Sequence, residues 1–484
     1  MKNRQQLLEQ KYGEGYKWVA MLGVIIGLLA TIFSSTMINV ALTNIMATFD
    51  ITQASAQWMS TGFFCASTVC MLAAAWALQN YGARKTFMAA TILFFIGSFL
   101  GQFALSFDLL ILARVLQGAG AGMLQPLSMA LIFILFPPEK RGSAMGTFAM
   151  IVVLGPAVGP TIGGVITDVF DWHYTFTAGL PLSFIAGVLG WVFLPDRTET
   201  GRKSRFNFVS FLLIAVTISS FLTGLSNSQF YDFSNAKVLV FLGIALAGII
   251  LFIQRERKSA APLLQIDLFR NLYFTSTVII GAITSAGMFS SIYMLPLFAR
   301  TVLQTTATDA GLLLLPGGLA LAAVSPIVGR LIDKMPPHRI LLTGILLFVV
   351  SSYALTYADQ YSSFWMIAGW IVVSRIALGF ILPSNSTLSL SSVKPSEVPQ
   401  ASGALNFCRM LGATTGVNLI AVIITARSAY HHASLLEEVD SGGLTDEITI
   451  QALAYTFQDG FLIGSIFVSL ALFPAAYIIL NGKK

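Results

Sequence analysis

The sequence predicts an all-α polytopic membrane protein with 14 transmembrane helices, arranged as two six-helix bundles with two helices inserted between them. Composition is the first observation behind this reading. Of 484 residues, 56% are apolar and only 10% charged, where soluble domains carry about 25% charged residues. Basic side chains supply the second, because they recur at alternate connections between apolar runs, as loops on one side of a bilayer do. The third is an internal repeat in which features of the first half return in the second.

One bilayer crossing needs about 20 apolar residues. Such runs lie at 18–40, 56–78, 87–106, 109–136, 143–167, 176–194, 208–225, 238–253, 274–297, 310–332, 340–357, 364–390, 401–426 and 460–480. The first follows Lys2, Arg4, Lys11 and Lys17 with no small-residue cleavage pattern after it, so it stays as an anchor and is not a signal peptide. A basic turn with Gly82, Arg84 and Lys85 separates the second and third. The fourth carries Arg114 at membrane depth, and the fifth is punctuated by glycine and proline. After the sixth comes a basic segment, 197–205, and then the inserted pair, spans seven and eight. The last six spans match the first six, with Arg375 in the twelfth and Asn406 and Arg409 in the thirteenth. The expected units are therefore 1–200, 201–260 and 261–484.

Of the 28 Lys and Arg residues, 21 fall on one face, three (Lys237, Arg300 and Arg427) on the other, and four within spans or at their ends. Both termini are expected in the cytoplasm of a bacterial cell, with the chain in its plasma or inner membrane. The net charge of +6 sits at membrane edges, so nucleic acid is excluded as a partner. Cys65, Cys70 and Cys408 lie in apolar runs and behave as small hydrophobes, not as a disulfide framework. No phosphate loop of the G-x-x-x-x-G-K-[ST] kind is present, so ATP does not drive the protein directly. No enzyme activity, cofactor or metal is expected; His431 and His432 alone make a poor metal site.

The repeat is explicit. A shift of 254 lays Ala75, Gln79, Arg84 and Lys85 on Gly329, Asp333, His338 and Arg339, and a shift of 261 lays Arg114 and Gly118 on Arg375 and Gly379. Duplicated bundles around a midplane site are a transporter signature. Residues 111–122 read I-L-A-R-V-L-Q-G-A-G-A-G and residues 155–164 read G-P-A-V-G-P-T-I-G-G. These resemble motifs B and C of the major facilitator superfamily. Further runs at 35–42, 57–58, 293–297, 310–317, 401–416 and 451–461 are similar to its fourteen-span drug:proton antiporter-2 branch, the EmrB/QacA type. The resemblance implies the major facilitator fold and a secondary exporter. Driven by protons, it would expel amphipathic compounds by alternating access.

Motif kinship then distributes roles. Arg114 becomes the partner of a protonatable or anionic group. Gly155, Pro156, Gly159 and Gly163 form a hinge and packing face. Gly118, Gly120 and Gly122 are read as a groove for a neighbouring helix, since no strand precedes them. The turn at 79–85 resembles motif A but has Gln79 where an Asp is expected, whereas its copy keeps Arg330 and Asp333. A gate latch is therefore expected chiefly from Arg330 and Asp333, with Gly82, Arg84 and Lys85 in the weaker copy.

Coupling is where the chain departs from its relatives. They carry an Asp in the first span, and here Ser34 stands in that place. Asp168 and Asp309, both at span ends, are the candidate proton carriers. With Arg114, Arg375 and Arg409 facing inward, the alternative is export of an anionic or neutral amphiphile with weak or atypical coupling; a non-transporting sensor on a carrier fold is a third reading. Asn39, Gln125, Phe148, Phe289, Tyr293, Asn385, Asn406 and Arg409 are the expected cargo-binding residues, with Met37 and Met294 beside them. The connection 428–456 is read as a solvated loop, with a docking patch for a periplasmic adaptor as the alternative.

Overall fold

The computed structural model describes residues 4–196, 205–228, 231, 234–438 and 445–481. Seventeen α-helices follow one another: α1 Arg4–Tyr12, α2 Tyr16–Phe49, α3 Gln53–Gln102, α4 Phe107–Leu135, α5 Pro138–Val169, α6 Tyr174–Thr177, α7 Gly179–Phe193, α8 Phe208–Asn227 and α9 Ala236–Lys258. The second half holds α10 Leu272–Thr301, α11 Ala307–Leu312, α12 Leu315–Ile332, α13 Pro337–Ala354, α14 Phe364–Ser391, α15 Val398–Glu438, α16 Thr445–Ser469 and α17 Leu472–Asn481. No strand occurs among the described residues.

Among the described residues, twelve helical segments are long and apolar enough to cross a membrane. The 50-residue α3 is two helices in one, because Gly82 breaks it with φ 80 and ψ 174. Only glycine takes such a conformation without strain. The two legs of α3 are counted among the twelve as one segment, and the 32-residue α5, long but less apolar, is not one of them. Helix starts follow local chemistry: Thr52, Ser106, Asn207, Asn235, Asn271 and Thr306 each accept a hydrogen bond from a backbone N–H of the first turn.

The two bundles repeat one another. In the first, α2 packs on α5 and α7; in the second, α10 packs on α15, α16 and α17. Small residues set these distances. Gly159 sits against Thr36 of α2, and Gly412 and Gly416 sit against Ala282 and Ala286 of α10. In α4, Gly118 and Gly122 face Phe63 and Ser67 of the first leg of α3, while Gly120 faces Ala90 and Phe94 of the second. The bundles meet through α5 on α12 and α3 on α15. The inserted helices α8 and α9 pair with each other, Gly248 against Thr217, and α8 leans on α3 and α15.

One expectation needs correction. Residues 428–456 are not mainly a solvated loop, since α15 continues to Glu438 and α16 starts at Thr445. Hydropathy marks where a helix leaves the bilayer, not where its hydrogen-bond ladder stops.

Candidate functional site

The cations at membrane depth are each held by neutral groups. Arg114, 1% exposed, donates from Nη1 to Gln117 Oε1 at 2.9 Å, to the Ser34 backbone oxygen at 3.3 Å and to Ser34 Oγ at 3.4 Å. Its guanidinium also lies 4.3 Å from the centre of the Phe63 ring, a cation–π distance. Gln117 passes the network on to Ser98 Oγ at 2.9 Å. Arg375 is 4% exposed and donates from Nη2 to Ser291 Oγ at 3.0 Å, while Nη1 has no hydrogen-bond partner among the described residues. Arg409 donates to Ser386 Oγ at 3.1 Å.

Around Arg409 the second bundle is unusually polar. Ser384, Asn385, Ser386 and Ser389 of α14 are all buried, and both side-chain polar atoms of Asn385 lack partners among the described residues. Asn406 lies across the bundle interface, 2.9 Å from Met129 Sδ, and Ser402 donates to the Pro126 oxygen of α4 at 2.6 Å. Thus Asn385 and Arg409 converge on Gly281 of α10, while Asn406 faces α4 of the other bundle. Phe148 packs in the core of the first bundle and Phe289 in a core cluster of the second; Gln125 is half-buried, and Tyr293 is 41% exposed. The side chains of Asn39 and Pro156 lie outside the described residues.

The face carrying the amino end of the chain holds the gating candidates. Asp333, at the end of α12, accepts from the Gly142 N–H at 2.7 Å, from the Ser143 N–H at 3.0 Å and from the Ser143 hydroxyl. All three donors belong to α5 of the other bundle. Beneath them Gly142 and Gly146 abut Gly329 and Ser325, so the helices touch backbone to backbone. Arg330 is exposed and is not among the partners of Asp333. Arg84 stays within its own bundle, Nε 2.9 Å from Asp196 Oδ1 and its guanidinium 4.2 Å from the Trp191 ring, and Lys85 is exposed. Gly155, Gly159 and Gly163 line up against Ile32, Thr36 and Met37 of α2.

Neither carboxylate expected to carry protons contacts Arg114. Asp168 is exposed at the end of α5, and Asp309 pairs with Thr306 in the first turn of α11. Sequence reasoning set another acid, Asp459, at a span end and gave it no role. Asp459 of α16 accepts from Arg427 Nε at 2.6 Å and lies 2.7 Å from His431 Nε2, both on α15. His431 also meets the Tyr455 ring, centroids 5.7 Å apart. The available signal was the i, i+4 spacing of Arg427 and His431, which puts both on one helical face.

A cleft of about 690 Å³ lies between the inserted pair and the second bundle, walled by α8, α9, α10, α13, α14, α15 and α16. It was not legible in the sequence.

Two pseudo-symmetric helical bundles, polar side chains and arginines buried in their cores and a charged clasp between them at one face define a membrane carrier. Residues 24–417 match the family model described as Major Facilitator Superfamily, and the chain belongs to that family. It is 28% identical to the lincomycin resistance protein LmrB of Bacillus subtilis (strain 168), over 95% of each chain. To the multidrug export protein EmrB of Escherichia coli (strain K12) it is also 28% identical, over 89% of this chain and 85% of the other. The solved human organic anion transporter MFSD10 (TETRAN) superposes with a TM-score of 0.63 at 14% identity, covering 93% of this chain and 99% of that one; this is likeness of fold.

Proposed function

We propose that the protein is a proton-linked secondary exporter of amphipathic compounds working by alternating access. The contact at Asp333 carries the reading. A carboxylate of one bundle clasps the backbone of the other at a single face, and such a clasp must open and close if cargo is to pass. The excess of Lys and Arg supports that face being cytoplasmic. The names lincomycin resistance protein and multidrug export protein support amphipathic cargo and outward movement. Asn385, Asn406 and Arg409, polar residues of α14 and α15, are the cargo-orienting set.

For coupling, Asp459 with His431 is better placed than Asp168 or Asp309. The pair joins α15 to α16, two helices that also wall the cleft. Histidine is the side chain whose charge ordinarily changes between about pH 5 and 8. The groups facing Asp459 are Arg427 and His431 from α15, with Tyr455 on its own helix behind the imidazole.

The test is flux in proteoliposomes under an imposed pH gradient with cationic, neutral and anionic dyes. Gradient-dependent dye movement is expected, and Asp459→Asn should slow it by about a hundredfold, the lower end of the 10²–10⁴ that a positioned proton-transfer group ordinarily contributes. Flux indifferent to the gradient would remove proton coupling, and unchanged coupling in Asp459→Asn would remove that residue's role.

A second reading, export of an anionic or neutral amphiphile with weak or atypical coupling, is favoured by one observation. Ser34 sits against Arg114 where the family resemblance implies an acid, and among the described residues this buried cation has no carboxylate partner.

A further inference from the structure

The cleft between the inserted pair and the second bundle has no part in the clasp or in the polar set, and its chemistry is that of the bilayer. No charged side chain lines it among the described residues. Of its hydroxyls, Thr217, Ser291 and Ser465 give their protons to backbone oxygens of their own helices at 2.7 to 2.8 Å, and Ser290, Ser352, Ser374 and Thr415 come one to a helix. Leu246, Leu419, Ile463 and Phe467 are exposed at its mouth, and Ile283, Leu295, Ile420 and Val468 are buried at its floor. The cleft is also long. Along α15 it runs from Cys408 to Ile423, about 22 Å at 1.5 Å per residue, whereas the hydrocarbon of one leaflet, half of a core of about 30 Å, is about 15 Å thick. It lies in the half of the second bundle away from the clasp, since α15 starts at Val398 on the clasp face and reaches the cleft only at Cys408.

Three occupants compete for such a space. An ordered water needs about two to four polar partners, and apolar cavities stay dry. Emptiness forfeits the dispersion contacts of the side chains on both walls. Hydrocarbon is present at the same depth and needs no polar partner. We propose that one acyl chain of a bilayer phospholipid fills this cleft as a fixed part of the structure, lying parallel to α10 and α15. Over this stretch the inserted pair meets the second bundle through lipid, whereas toward the first bundle contact is direct, with the ring of Phe206, just before α8, 4.7 Å from that of Trp76 in α3. The inference goes beyond the carrier reading and does not depend on it.

Two substitutions fill the cleft from opposite walls. A Cβ at Gly464 meets nothing within 4 Å, so Gly464→Phe projects into the space without disturbing packing at its root. Leu246→Trp enlarges a side chain that is exposed at the mouth. The purified full-length chain is placed in phosphatidylcholine nanodiscs that carry a trace of the same lipid with a diazirine at mid-chain, and crosslinks are mapped by mass spectrometry. A parallel sample receives hexadecanol tagged at mid-chain, a single chain with no phospholipid headgroup.

The lipid should label Ile283 and Ile420, which are buried and reached only through the cleft. Each substitution should lower that labelling about tenfold, the equivalent of about two methylenes driven out, and leave labelling of the exposed Phe184 and Val188 on α7 unchanged. If one variant does not fold, the other supplies the comparison. Crosslinks confined to exposed side chains, meaning annular lipid only, would overturn the proposal. So would labelling of Ile283 and Ile420 that neither substitution lowers, or labelling there by hexadecanol and not by the lipid, which would make the occupant a single-chain guest.

Discussion

A guanidinium at bilayer depth costs about 2.5 to 3.5 kcal/mol on insertion scales. Arg114 is held there by Ser34, Gln117 and the face of Phe63, which satisfies part of its hydrogen-bonding capacity without neutralising its charge. Ser34→Asp would put a carboxylate next to Nη1. It should form an ion pair with Arg114, remove the net positive charge of that corner and shift dye preference toward cations, read as the ratio of cationic to anionic dye flux in proteoliposomes. An unchanged ratio would show that Arg114 is structural. Ser34 stood out only through the family resemblance, whereas the depth of Arg114 was readable from sequence, because a charge inside an apolar run stands out by composition alone. The Asp459 cluster was not: its partners lie 28 and 32 residues away, and hydropathy had assigned the segment just after Arg427 to a loop.

Among the elements, spans were legible and their ends were not. Most apolar runs coincide with a helix or one leg of a helix, because bilayer thickness fixes their length, but 176–194, 310–332 and 460–480 are each divided between two helices. Yet α15 runs on to Glu438, since hydrogen bonding continues into water where hydropathy falls, and the two crossings of α3 meet directly at Gly82 with no loop between them. The reversal depends on Gly82 at φ 80. Placing a Cβ there should cost about 1–3 kcal/mol, so Gly82→Ala should lower the thermal unfolding midpoint of the purified protein. Gly164→Ala is the matching control. Its added Cβ would lie 3.8 Å from Val40 Cγ1, an ordinary contact, and inside a helix the change should be neutral or gain up to about 1 kcal/mol. Equal midpoints for the two variants would show that the turn is not strained by a side chain.

For the whole molecule, the duplicated plan was visible in the offsets that lay Gln79 on Asp333 and Arg114 on Arg375, but the asymmetry between its copies has a mechanical consequence only in three dimensions. Where α5 meets α12, a carboxylate takes hydrogen bonds from Gly142 and Ser143; at the corresponding meeting of α3 and α15, Gly403 merely approaches the backbone of Met71. One corner of this face is clasped by charge and the other by packing. Hydrogen bonds to a charged group contribute about 1.5–3 kcal/mol each, and every 1.4 kcal/mol is a tenfold change in population. Asp333→Ala should therefore shift the closed-to-open equilibrium of this face by about tenfold or more, with Asp333→Asn falling between. The measurement is a spin-label distance between Lys140→Cys and Lys334→Cys, both exposed positions, in a chain with Cys65, Cys70 and Cys408 replaced by Ser. A longer-distance population should grow in Asp333→Ala, and dye flux should fall as the cycle loses its closed state. Gln79→Asp should act in the opposite sense by adding an acid at the uncharged corner, shortening the distance distribution and slowing opening. If neither substitution moves the distribution, the bundles are held by backbone packing alone, and Asp333 is a helix-end hydrogen bond with no part in gating.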